Sequence, residues 1–94
     1  MKRYFLKLSY KGTHYNGWQI QPNGLTVQGE IQNDLTKLNR GKIVKTMGCG
    51  RTDTGVHAKN FFMHMDFPEI EELDAFVYKL NHMLPDDIIS SGNM

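Results

Sequence analysis

The stretch KIVKTMGCGRTDTGVHAKNFFMHMDF, residues 42–67, decides the fold. Its two ends read as strands. Residues 42–47 carry the β-branched pair Ile43 and Val44. In residues 60–67, Phe61, Met63, Met65 and Phe67 share one face, and Phe62, His64 and Asp66 share the other. Between the strands lie Gly48, Gly50 and Gly55, three glycines within eight residues. A hairpin turn needs glycine only at its tightest point, so this loop has more than a turn requires. It also carries an acid (Asp53), a permanent cation (Arg51) and an imidazole (His57). Loops held between rigid elements are where chemistry commonly sits.

The flanking sequence supplies the remaining elements. Tyr4, Leu6, Leu8 and Tyr10 alternate with polar residues, which is strand periodicity. Residues 11–25 form a long polar loop punctuated by Gly12, Gly17, Pro22 and Gly24, with His14, Tyr15 and Trp18 inside it. Thr26 reads as a helix N-cap. Val27, Ile31, Leu35 and Leu38 then form one apolar stripe. Glu30 in the first turn and Lys37 and Arg40 in the last suit the helix dipole, and Gly41 is placed as the stop. Pro68 suits the first turn of a second helix whose stripe is Ile70, Leu73, Phe76, Val77, Leu80 and Leu84. Pro85 ends it, and Ile88 and Ile89 begin a fourth strand. The order β-α-β-β-α-β predicts an α+β, ferredoxin-like fold: an antiparallel four-stranded sheet with two helices on one face. The strands around the glycine loop become its central hairpin. The second sheet face is left open, available as a binding platform. Phe62 points away from Phe61 and needs a partner of its own.

Ninety-four residues make one domain. The single cysteine, Cys49, excludes an internal disulfide and a multi-cysteine metal site. Together with the absence of a membrane-length apolar run or secretory pattern, this predicts a cytoplasmic protein. Charge is unevenly distributed. Residues 1–65 hold ten Lys/Arg against three Asp/Glu, and residues 66–94 hold one Lys against seven Asp/Glu. Either a basic face meets an anionic partner, or the two blocks intermix in space.

Each candidate residue has two readings. Asp53 serves as nucleophile or general base, or it caps backbone N–H groups in the turn. Arg51 grips a phosphate or a base edge, or it pairs with Asp53, which itself keeps the carboxylate ionised. His57 titrates, contacts phosphate or ligates a metal, or it is a packing and hydrogen-bonding residue. Tyr15 and Trp18 stack on bases, or they pack beneath their loop. Cys49 reads as a small buried apolar residue. His14, His57, His64 and His82 lack paired metal-ligand spacing. The loop lacks the Gly-Lys-Ser/Thr ending of an NTPase phosphate loop.

Gly50-Arg51-Thr52-Asp53-Thr54-Gly55-Val56-His57-Ala58 closely resembles the signature loop of the TruA family of tRNA pseudouridine synthases. Tyr10-Lys11-Gly12-Thr13-His14-Tyr15-Asn16-Gly17-Trp18-Gln19-Ile20-Gln21 resembles that family's first-loop motif. Thr26-Val27-Gln28 and Leu84-Pro85-Asp86-Asp87-Ile88 match further segments in order. Thr54 departs from the family's usual alanine. The resemblance implies that Asp53 is the catalytic carboxylate in converting a uridine of the tRNA anticodon arm to pseudouridine. It implies that Arg51 helps extract the base and pairs with Asp53, with Thr52 and His57 as substrate-binding residues. It implies no metal and no organic cofactor. Family members are longer, dimeric, and pair two related halves around the cleft. Residues 1–94 therefore correspond to an N-terminal ferredoxin-like catalytic subdomain without its C-terminal half, and the piece alone is expected to turn over little or nothing. Two other readings remain. One is a non-catalytic RNA-binding module. The other is an aspartate-dependent phosphotransferase, which lacks the second acid two positions from Asp53.

Overall fold

The alternation around Leu6 becomes strand β1, Lys2–Tyr10, in a computed structural model that describes residues 1–22, 24–50, 55 and 57–93. Helix α1 is Val27–Leu38, followed by β2, Thr46–Gly48, and β3, Ala58–Phe67. Helix α2 is Leu73–Met83, and β4 is Ile88–Asn93. The sheet order is β2-β3-β1-β4, every neighbouring pair antiparallel. This is the predicted ferredoxin-like α+β arrangement. Tyr4, Leu6, Leu8, Met63, Met65 and Ile88 form one buried cluster with Val27, Ile31 and Leu35 of α1 and Val77 and Leu80 of α2, so both helices cover the same sheet face. Full burial of each such aliphatic side chain contributes about 1.5–3 kcal/mol.

The glycine loop's strands are not central. β2 is an edge strand, and only β3 lies inside the sheet. β2 also starts four residues later than predicted. Backbone groups of the preceding segment bond to α1 and its C-terminal turn instead of to a strand. Val44 N donates to the Thr36 hydroxyl at 3.2 Å, and the Asn39 amide donates to the Lys42 carbonyl at 3.2 Å. Ile43 is consequently exposed while Val44 is buried.

Thr26 caps α1 as expected, its hydroxyl accepting from Gly29 N at 3.2 Å. The other end differs from expectation. Arg40, not Gly41, takes the first left-handed position (φ 58°), and Gly41 follows at 85°. Arg40 N reaches the Lys37 carbonyl and Gly41 N the Thr36 carbonyl, the two bonds of a Schellman turn. α2 begins at Leu73, five residues after Pro68. The intervening chain is held to β1: Ile70 N donates to the Tyr4 hydroxyl at 2.8 Å, and Lys2 pairs with Glu69 at 2.8 Å.

β3 carries one extra residue. Leu8 pairs with Phe61 and Tyr10 with Ala58, so Ser9 faces both Lys59 and Asn60. Asn60 adopts φ 58°, tolerable for asparagine. This is a β-bulge.

Both sheet edges are covered by amide side chains. Gln28 donates to the Thr46 carbonyl at 2.9 Å, and Gln32 accepts from Thr46 N at 3.3 Å. On the far edge Asn81 donates to the Ser90 carbonyl at 2.9 Å and accepts from Ser90 N at 2.8 Å. Each helix thus pairs the outward backbone groups of one residue in the edge strand that follows it, blunting strand addition at that point.

Candidate active site

The loop of residues 11–25 folds against the base of the glycine loop, and two of its carbonyls meet the start of α1. Gly17 and Trp18 carbonyls accept from Val27 N (3.2 Å) and Gln28 N (2.9 Å). With the Thr26 hydroxyl, they occupy N–H groups that a helix start otherwise leaves unpaired. Trp18, 2 % exposed, packs against Phe61 with ring centroids 4.7 Å apart. Tyr15 is also buried. Of the two readings for these rings, packing is the one realised.

Three backbone anchors hold the glycine loop's shoulders. Cys49 N donates to the Phe62 carbonyl at 2.8 Å, Gly55 N to the Tyr15 carbonyl at 3.1 Å, and Gly12 N to His57 Nδ1 at 2.9 Å. His57 is therefore a backbone-bonding residue with an exposed ring. Cys49, predicted buried, is exposed. Its backbone is tied to β3, while its side chain lies off the core. Arg51, Thr52 and Asp53 lie outside the described residues, as do Thr54 and Val56.

Tyr15 does more than pack. Its hydroxyl donates to Asp87 Oδ1 at 2.7 Å, and Lys11 N donates to the Asp87 carbonyl at 3.0 Å. Burial first, and then the bond to the Asp87 carboxylate, push the Tyr15 phenol far above its ordinary value. The Tyr15–Asp87 and Gly12–His57 pairs were not legible in the sequence. They join positions 72 and 45 apart, and no local periodicity connects them.

Gly48 is required by close approach. A Cβ there would come within 2.7 Å of Trp18 Cε2 and 3.0 Å of Phe61 Cζ. A cavity of about 310 Å³ opens at this point, lined by Trp18, Gln19, Gln28, Thr46, Met47, Gly48 and Gly50. A second, of about 280 Å³, lies at the other shoulder, where Lys11 and Lys59 meet Asp86 and Asp87. The basic and acidic blocks intermix in part: Arg3 pairs with Asp66 at 3.1 Å, and Lys2 with Glu69.

A split β-α-β sheet that draws two loops together beside a floor of Trp18 and Phe61 defines a ferredoxin-like domain with a loop-built site. No family model matches the chain. Curated relatives do. It is 51% identical over 89 residues, 95% of its length, to tRNA pseudouridine synthase A of Azobacteroides pseudotrichonymphae genomovar. CFP2. It is 49% identical, over 94% of its length, to the protein of that name from Parabacteroides distasonis, and 46% identical over the same share to that from Streptococcus mutans serotype c. The chain belongs to the tRNA pseudouridine synthase A family. It spans about 35% of the length of each of these relatives.

Proposed function

We propose that this chain is an N-terminal, loop-bearing part of a tRNA pseudouridine synthase acting on uridines of the anticodon arm. The observation that carries the reading is the identity of 46–51% to proteins of that name across nearly the whole chain. The anchoring of Cys49, Gly55 and His57 on either side of the Asp53 segment supports it. The reaction is an isomerisation. The bond from ribose C1′ to uracil N1 breaks, the base turns, and C1′ bonds to C5. The C5 proton is lost and N1 takes one up, so the nucleotide's composition is unchanged. Asp53 is the carboxylate that works on the sugar or the base, and all routes require it ionised and positioned. Arg51 pairs with Asp53 and helps extract the base, and Thr52 and His57 bind substrate. A uridine within a stem must leave the stack to be reached. The reading puts the enzyme in the cytoplasm as a homodimer of full-length subunits, with the cleft of each subunit completed by its own C-terminal half.

The test is Asp53→Asn in the full-length protein, assayed for pseudouridine in an anticodon-arm substrate. Loss of product with tRNA affinity retained is the expected result. Undiminished product overturns the assignment. If the unsubstituted protein binds tRNA but forms no pseudouridine, the chain is a binding module.

A further inference from the structure

The face of the sheet away from the helices is uncovered among the described residues, and its composition is specific. Phe5 is 43% exposed and Phe62 37%. They stand on the adjacent strands β1 and β3. Phe5 pairs across with His64, their rings in edge contact at 5.7 Å, and Lys7 pairs with Phe62. Phe5 and Phe62 are therefore diagonal neighbours, about 7–8 Å apart. That is about twice the ~3.4 Å axial rise per nucleotide of a stacked duplex strand, so it suits bases drawn apart from one another. Met47 on β2 and Ile89 on β4, 61% and 60% exposed, extend the apolar floor towards both edges.

The charges on this face favour an anionic occupant. Asp66, its one acid among the described residues, is neutralised by Arg3. Lys7, directly across from Phe62 and two residues along β1 from Phe5, has no ion pair among the described residues. The edges are closed at Thr46 and Ser90 by the glutamine and asparagine bonds, so a partner approaching there meets the face rather than a free strand.

We propose that this face is a stacking platform for unpaired nucleotides of the RNA. Phe5 and Phe62 would receive successive splayed bases, and Lys7 the phosphate between them. Half-exposed aromatic rings on the central strands of an open four-stranded sheet are a general solution for holding single-stranded RNA. The proposal rests on the reading of tRNA as substrate and adds a surface separate from the Asp53 loop.

The experiment measures fluorescence anisotropy of a labelled oligouridylate of about eight nucleotides, a length within the range of known single-strand sites. The matching RNA duplex is the comparison. Phe5→Leu/Phe62→Leu keeps the face apolar but removes its π-surfaces. We expect it to weaken single-strand binding about tenfold or more while leaving duplex binding unchanged. Lys7→Ala should weaken both probes and make binding less sensitive to salt. Single-strand affinity equal to that of the parent in the double-leucine variant overturns the platform. So does a concentration-dependent dimer of the parent that this variant abolishes and the RNA does not compete away, because the face then belongs to a second copy. Should the variant fail to fold by circular dichroism, the phenyl resonances of the parent decide: they move on titration with oligouridylate, or the proposal falls. Asp53→Asn separates the two ideas. Binding that persists beside isomerisation indifferent to Asp53 leaves the platform and removes the enzyme. Isomerisation that needs Asp53 beside unperturbed phenyl rings does the reverse.

Discussion

The backbone N–H of Gly12 donates to Nδ1 of His57 at 2.9 Å, tying the first loop to the exit of the glycine loop. Gly12 is buried, so this bond satisfies a donor that water does not reach. Because Nδ1 accepts, the ring's proton resides on Nε2. The imidazole thus fixes loop geometry with one nitrogen and offers a donor with the other.

His57→Ala should therefore cost about 1–3 kcal/mol, the usual penalty for stranding a buried donor. Thermal unfolding followed by circular dichroism would show a Tm lower by several degrees. His57→Asn places an amide oxygen close to the position of Nδ1 and should recover part of the loss. Equal Tm values for the alanine variant and the parent would remove the bond's structural importance.

Gly48→Ala presses a methyl group into Trp18 and Phe61. Overpacking of this kind costs about 1–3 kcal/mol. Trp18 is the chain's single tryptophan, so its emission spectrum reports the displacement directly. An unchanged spectrum together with an unchanged Tm would contradict the close approach.

Asp34 is 5% exposed on the inner side of α1. Its Oδ2 has no hydrogen-bond partner among the described residues, and Lys37 stands 4.0 Å from Oδ1. Burial pushes its carboxyl above the ordinary 3.8, with Lys37 opposing in part. The folded state therefore holds this proton more tightly than the unfolded chain does. Its contribution is most favourable below the unfolded value, near pH 4, and is lost as pH rises through the folded value. Asp34→Ala should raise Tm at pH 7 by a few degrees, with the gain shrinking towards pH 3. A constant gain at all pH values would point to helix propensity alone.

Arg40 holds a left-handed conformation at the α1 terminus, which costs an L-residue about 1–2 kcal/mol. Arg40→Gly should recover part of this against the greater entropy of glycine in the unfolded chain. The expected result is a Tm raised by a few degrees. A lowered Tm would show that packing of the arginine outweighs its strain.

The topology was legible because its signals are local. Leu6 and Leu8, Val27 and Ile31, and Met63 and Met65 each repeat at the period of their own element. The element starts were not, because they depend on distant partners. Val44 looks like a strand residue, but its N–H is taken by Thr36. Pro68 looks like a helix start, but Tyr4 holds the following Ile70 outside the helix. The site divided in the same way. Gly48, Gly55 and His57 stood out by residue type. The Tyr15–Asp87 bond is made by the fold and left no trace in spacing.

The bulge at Lys59 and Asn60 sets the facing of Ala58, the residue that opens β3. Without the extra residue, strict alternation from Phe61 would give the place beneath Tyr10 to Lys59. With it, Ala58 takes that place. The facing of the first β3 residue after the glycine loop is thus decided outside the loop. A change of length within the loop leaves this phase untouched, whereas deleting one residue at the bulge inverts it. The two ends of the segment are therefore governed by separate parts of the chain, and the loop's own sequence is free to follow its chemistry.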